Sequence, residues 1–171
     1  EFMGTMMLLV VGGNDTTRNT MSGLILALDQ FPAERAKLEA DPSLIAGFVE
    51  ETIRWATPVQ QFVRSATQDY EIKGKTIRKG DLVYLSYLSA NRDEDIFFSP
   101  DDFVIDRKPN RQVAFGFGPH MCLGNSLARL EIQIMFEDLL ARDVDLVPNG
   151  KADYVYSNFV HGFKRLPVRK A

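Results

Sequence analysis

This sequence predicts a mainly α chain with small antiparallel β-sheets, an α+β arrangement, and three observations predict it. Apolar residues recur at helical spacing through residues 1–30, along Phe2, Met6, Leu9 and Val10 and again along Met21, Leu24, Ile25 and Leu28. A second amphipathic run, residues 123–141, sets Leu127, Leu130, Ile134 and Leu139 against Arg129, Glu131 and Glu137. Between the two, short β-prone segments alternate with turn signals at Lys73-Gly74 and Lys79-Gly80-Asp81.

Taken in order, the first helix ends at Pro32, which also suits the first turn of a second helix over 33–40. Inside the first helix lies Gly12-Gly13-Asn14-Asp15-Thr16-Thr17, a hexad of poor helix formers. Such a weak point predicts a kink, and threonine hydroxyls there can take carbonyls from the helix ladder. It sets an acid, Asp15, beside an alcohol, Thr16, a pair able to relay protons, although a plain packing kink explains the hexad equally well when it is taken alone. Asp41 or Ser43 caps a third helix over 43–55, with Ile45, Phe48, Val49, Thr52 and Ile53 on its buried side. Glu51 and Arg54 are i, i+3 neighbours on it, a spacing that by itself describes an ordinary surface ion pair. Thr57-Pro58 breaks this helix. Strands are expected over 62–67, 70–72, 75–77 and 82–85, then a polar stretch from Ser89, a turn at 99–102 and an irregular meander over 103–110. In the tail, strands are expected at 145–147, 154–160 and 164–168.

Composition bounds the function. The 171 residues, 45% hydrophobic and 25% charged, make an ordinary globular chain of one domain. A net charge of −3 gives no argument for nucleic acid or an anionic membrane. No apolar run is long enough to span a bilayer, and no signal-peptide pattern is visible. The single cysteine excludes an internal disulfide and suits a reducing, cytoplasmic setting.

That cysteine sits in Phe115-Gly116-Phe117-Gly118-Pro119-His120-Met121-Cys122-Leu123-Gly124, just before the second amphipathic helix. The glycines let backbone approach a flat ligand closely. The helix start favours thiolate over thiol. One thiolate is a poor zinc site, which wants four ligands, but a good single axial ligand for a haem iron. Taken alone, the loop also suits a buried, inert cysteine.

The pattern Phe-Gly-x-Gly-x-His-x-Cys-x-Gly resembles the haem-binding loop of bacterial cytochromes P-450. The hexad upstream resembles that family's Gly-Gly-x-Asp-Thr oxygen-activation motif. Together they cover essentially the whole chain, read as residues 1–171 of the C-terminal part of one catalytic domain, with the first helix opening the segment and no cap before it. The resemblance implies the P-450 fold and haem b (iron protoporphyrin IX) on Cys122, with Phe115, Gly116, Gly118, Gly124, Gly12 and Gly13 around it and Arg64 and His120 on its propionates. It implies Asp15 and Thr16 as the catalytic proton relay. Glu51 and Arg54 become an internal structural pair, with Arg107 as third partner.

The resemblance further implies monooxygenation: a small apolar substrate is hydroxylated with dioxygen, and the thiolate favours O–O cleavage. Electrons would come from a ferredoxin-type donor with its reductase, since no flavin or iron–sulfur motif is present. Met7, Leu8, Val11, Val59, Phe62, Phe159 and Val160 are the substrate-pocket candidates, and they suit a plain core equally. The 11–20 segment is similar to hydroxylases of alkane chains, and the 157–165 tail to those acting on sterol side chains and branched lipids. Two rivals stay open, a non-catalytic haem-thiolate binding or gas-sensing module and a peroxide-driven haem enzyme. The Asp15-Thr16 pair argues against both.

Overall fold

The computed structural model describes all 171 residues. Helix α1 (Phe2–Gln30) runs without interruption through the glycine-rich hexad. The expected capture of ladder carbonyls is present, Thr16 Oγ1 donating to the Gly12 carbonyl at 2.6 Å and Thr20 Oγ1 to the Thr16 carbonyl at 2.8 Å, and it does not break the helix. Helix α2 (Pro32–Ala40) begins on its proline. Asp41 accepts from the Ser43 amide and caps a 3₁₀ turn, Pro42–Leu44, that leads into α3 (Ile45–Ala56). The last long helix is α5 (Asn125–Ala141), two residues later than expected, because Cys122 to Gly124 still belong to the loop.

The core is helical. Leu24, Ala27 and Leu28 of α1, Leu38 of α2, Phe48, Val49 and Ile53 of α3, and Ile132 and Phe136 of α5 form one buried cluster with Phe103 and Ile105 of the meander. Aromatic edges lock it: Phe48 stands 4.4 Å from Phe136 and 6.2 Å from Phe103. Gly47 of α3 allows the meander to lie flush, since a Cβ there would meet the Ile105 carbonyl oxygen at 2.4 Å.

Four two-stranded antiparallel sheets surround the helices. Strand β1 (Gln61–Ser65) pairs with β4 (Leu82–Ser86), and β2 (Tyr70–Ile72) with β3 (Lys75–Ile77), close to the expected segments. In the tail, β5 (Leu146–Pro148) pairs with β8 (Val168–Lys170) and β6 (Asp153–Tyr154) with β7 (Phe163–Arg165). The strand expected over 154–160 therefore stops at Tyr154. Beyond it the chain is a loop tied down at one bridge, Val59 to Val160.

A short helix, α4 (Tyr87–Ala90), was not expected. Its four residues are too few to show helical periodicity, and it forms because the Ser86 side chain accepts from the Ser89 amide.

Candidate active site

One cleft, of about 360 Å³, is built from four parts of the chain. Helix α1 contributes Gly12, Thr16, Thr17 and Thr20; the segment after α3 contributes Pro58, Val59, Phe62 and Arg64; α4 contributes Tyr87. The loop before α5 contributes Ala114, Phe115, Gly116, His120 and Cys122, with Ala128 and Ile132 of α5 and Ile53 of α3 closing the floor.

The cysteine loop is a sequence of backbone turns. The Gly116 amide donates to the Val113 carbonyl at 2.8 Å, and the Cys122 amide to the Phe115 carbonyl at 2.8 Å. Gly116 (φ 72°) and Gly118 (φ 66°) both hold left-handed backbone. At Gly116 an added Cβ would also press within 3.4 Å of the His120 carbonyl oxygen and the Tyr87 hydroxyl. Phe115 is supported from beneath by Arg129 of α5, whose guanidinium lies 4.7 Å from the ring centroid and pairs with Glu50 of α3. The Cys122 thiol is exposed and unpaired.

The roof of the cleft is held separately. The Gln60 carbonyl accepts from the Tyr87 amide at 2.9 Å, the Gln60 amide donates to the Phe159 carbonyl at 2.9 Å, and the His161 amide donates to the Pro58 carbonyl at 2.8 Å. Phe62 packs edge-on against Tyr87 and Phe159, at 6.1 and 5.6 Å. Arg64 lies with its guanidinium 5.7 Å from the Phe62 ring and spends one hydrogen bond on the Val63 carbonyl.

Thus Gly12, Thr16, Val59, Phe62, Arg64, Phe115, Gly116, His120 and Cys122 converge on the cleft. Phe159 and Val160 stand behind its roof, through the Phe62 ring and the Val59 bridge. The other expected residues are not among its lining. Met7, Leu8 and Val11 are 63%, 75% and 56% exposed on the first half of α1. Gly13, Gly118 and Gly124 lie outside it, though a Cβ at Gly124 would stand 3.9 Å from Cys122 Sγ. Asp15 faces away from Thr16, because adjacent helix positions point about 100° apart. Its carboxylate pairs with Arg18 at 2.8 Å, both side chains being more than half exposed. Tyr87, Thr17, Thr20 and Ile132 line the cleft without having been expected; only the turn into α4 brings Tyr87 there, and no local pattern marks it.

A second polar constellation lies on the far side of α3. Arg54 is fully buried and uses every guanidinium direction: Nε and Nη2 on the two Glu51 oxygens at 2.8 Å each, Nη1 on the Asn91 and Pro100 carbonyls at 2.7 Å, and Nη2 on the Asp102 carbonyl at 2.7 Å. Arg107, 7% exposed, places Nε 3.1 Å from Glu51, which also accepts from the Val104 amide at 2.8 Å and Asn110 Nδ2 at 3.0 Å. The pair that spacing alone describes as a surface contact is therefore the driest ion pair in the molecule.

Residues 1–153 match the family model described as cytochrome P450. The chain belongs to the cytochrome P450 family. It is 45% identical over 161 residues to cytochrome P450-terp of a Pseudomonas species, covering 94% of this chain and 38% of that protein. To a steroid C26-monooxygenase of Mycolicibacterium smegmatis it is 42% identical over 174 residues, covering 98% and 42%. Among solved structures, a cytochrome P450-153 from Novosphingobium aromaticivorans superposes with a TM-score of 0.96 at 48% identity, over all of this chain and 44% of that one. The chain thus spans about two fifths of the length of the curated relatives it matches. The P450 family carries a haem iron, and the cleft fits one on its own terms. A single exposed sulfur faces mostly apolar walls, two basic side chains share the lining, and a Cβ at Gly12 would meet only open space. Cys122 supplies one sulfur ligand to the lining, a donor that a planar macrocycle would complete. No helix is long and apolar enough to cross a membrane.

Proposed function

We propose that the whole protein, of which these residues form the C-terminal part of the catalytic domain, is a b-type haem-thiolate monooxygenase that hydroxylates a long or branched apolar substrate. One observation carries this reading: the only thiol of the chain and the Thr16 hydroxyl line the same apolar cleft from two different elements. When bound, the haem supplies dioxygen activation and oxidation of an unactivated C–H bond.

The chain's own residues have distinct tasks. Cys122 would hold the iron through its Sγ, in a loop whose shape is set by backbone bonds from Gly116 and Cys122 rather than by the side chain. Arg64 would provide positive charge, and Arg64 and His120 N–H donors, for the two propionates. Phe62, Val59 and Ile132 exclude water, with Phe159 and Val160 supporting them. Thr16 Oγ1 donates a hydrogen bond to the Gly12 carbonyl, so the lone pairs of its oxygen are free to accept another. Asp15 supplies protons to this point only after leaving Arg18, an exposed pair that costs little to open.

The apolar walls, and a relative named as a steroid C26-monooxygenase, support a substrate of sterol side-chain or lipid type. A ferredoxin-type donor with its reductase, in the cytoplasm, belongs to the same proposal. The test is turnover of the full-length protein with such a chain and NADH, against peroxide alone. Hydroxylated product only in the first supports the reading. Efficient product with peroxide alone moves the protein to the peroxide-driven class. The absence of a thiolate-type Soret band in the reduced carbon monoxide adduct removes haem-thiolate ligation altogether.

A further inference from the structure

Asn91 is fully buried and belongs to neither the cleft lining nor the carboxylate of the ion cluster. Every polar group it owns is nevertheless engaged, and each reaches a different part of the site. Its Oδ1 accepts from the Val113 amide at 2.8 Å, the first residue of the turn that leads, through Gly116 and Phe115, to the Cys122 backbone. Its Nδ2 donates to Thr57 Oγ1 at 2.9 Å, where the chain leaves α3 for the cleft roof. Its carbonyl accepts from Arg54 Nη1 at 2.7 Å, and its amide donates to the Tyr87 carbonyl at 2.9 Å.

Thr57 adds a second observation. It sits at φ 37°, ψ 63°, a left-handed conformation that a β-branched residue avoids. Such backbone persists only where its surroundings over-determine it. Here the Thr57 hydroxyl donates back to the Arg54 carbonyl at 2.6 Å while accepting from Asn91, and Pro58 follows directly. This sharp exit aims Val59, Phe62 and Arg64 across the cleft.

We propose that Asn91 is a positioning residue that couples the two walls of the cleft, holding the cysteine loop with its side-chain oxygen and the roof with its side-chain nitrogen. Asparagine suits the post because a single rigid amide offers an acceptor and a donor on opposite corners. Leucine keeps the branching at Cγ and carries neither group. The inference rests on the haem-thiolate reading only for its spectroscopic arm.

The experiment uses the full-length haem protein with Asn91→Leu, Thr57→Ala and Thr57→Ser. Amide hydrogen exchange is followed in peptides covering 57–64 and 113–118, beside the Soret band of the reduced carbon monoxide adduct. In Asn91→Leu both segments should exchange about tenfold faster or more, and the thiolate-ligated fraction should fall. In Thr57→Ala only the 57–64 segment should quicken, with the Soret band unmoved, and Thr57→Ser should restore wild-type exchange. If Asn91→Leu does not fold, the Thr57 pair decides: equal exchange in the two overturns the proposal. Exchange that speeds uniformly over the whole protein, or an unmoved cysteine loop in folded Asn91→Leu, also overturns it. A wild-type protein without the thiolate band sinks the haem-thiolate reading instead and leaves the exchange data to judge Asn91.

Discussion

Helix α3 separates two polar regions that treat their charged and reactive groups in opposite ways. On one side Glu51 and Arg54 have no exposed surface, and every oxygen and N–H meets a partner from the helix, Asn91 or the 98–110 segment. On the other side Cys122 and His120 are exposed and make no side-chain hydrogen bond, and Arg64 reaches only its neighbour's carbonyl. The first arrangement is stable because nothing is left to satisfy; the second is reactive because something is. Burial with full pairing makes removal of one partner expensive, whereas exposed groups can be changed with little effect on folding.

That contrast is open to direct attack, starting with the largest effect. Glu51→Ala or Arg54→Ala leaves the opposite charge buried without its partner and should cost about 3–5 kcal/mol, seen as loss of folded, haem-loaded protein in denaturant melts. Full haem loading with an unchanged midpoint would show that the cluster is dispensable. Gly47→Ala drives a Cβ into the Ile105 carbonyl and should cost about 1–3 kcal/mol by the same measurement, with the cleft untouched. A neutral effect there would mean that the meander floats on α3 instead of being fixed by it.

Arg129→Ala probes the boundary between the regions. Its pair with Glu50 is about one-third exposed and its guanidinium lies on Phe115, so the loss should be about 1 kcal/mol. The check is a modest drop in melting temperature together with a smaller thiolate-ligated share. Cys122→Ser and Thr16→Ala should change stability least, within about 0.5 kcal/mol in the haem-free protein. Their effect is chemical. The serine variant should lose the thiolate-type Soret band outright, and a retained band removes Cys122 as ligand. The alanine variant should keep haem and substrate binding while diverting electrons to peroxide or water. Product coupled to electron use as tightly as in the wild type would end the proton-delivery role of Thr16.

Local pattern carried a good deal of this molecule. Helical periodicity placed α1 and α5 to within two residues, and turn glycines placed β2 and β3 where they are found. The Cys122 loop and the Gly12–Thr17 hexad were legible because each compresses unusual backbone or chemistry into a few consecutive residues, and Thr16 and Cys122 do share a cleft. What stretches of sequence cannot encode is the pairing of groups far apart along the chain. Spacing alone describes Glu51 and Arg54 as a surface pair, since i, i+3 neighbours say nothing about the 98–110 segment that covers them; only the family resemblance implied the internal pair with Arg107 that is found. Asp15 and Thr16 read as partners because they are adjacent, yet the helix turns them to different sides. Tyr87 and Asn91 carried no local signal at all; a four-residue helix places both, and their worth depends on Gln60, Thr57 and Val113 arriving from elsewhere. Periodicity is a property of neighbours within a turn or a strand, so the sequence by itself determined the elements and the two motifs. Burial and hydrogen-bond completion are properties of the packed whole, and only the tertiary structure decided which polar residues hold the fold and which are left free to react.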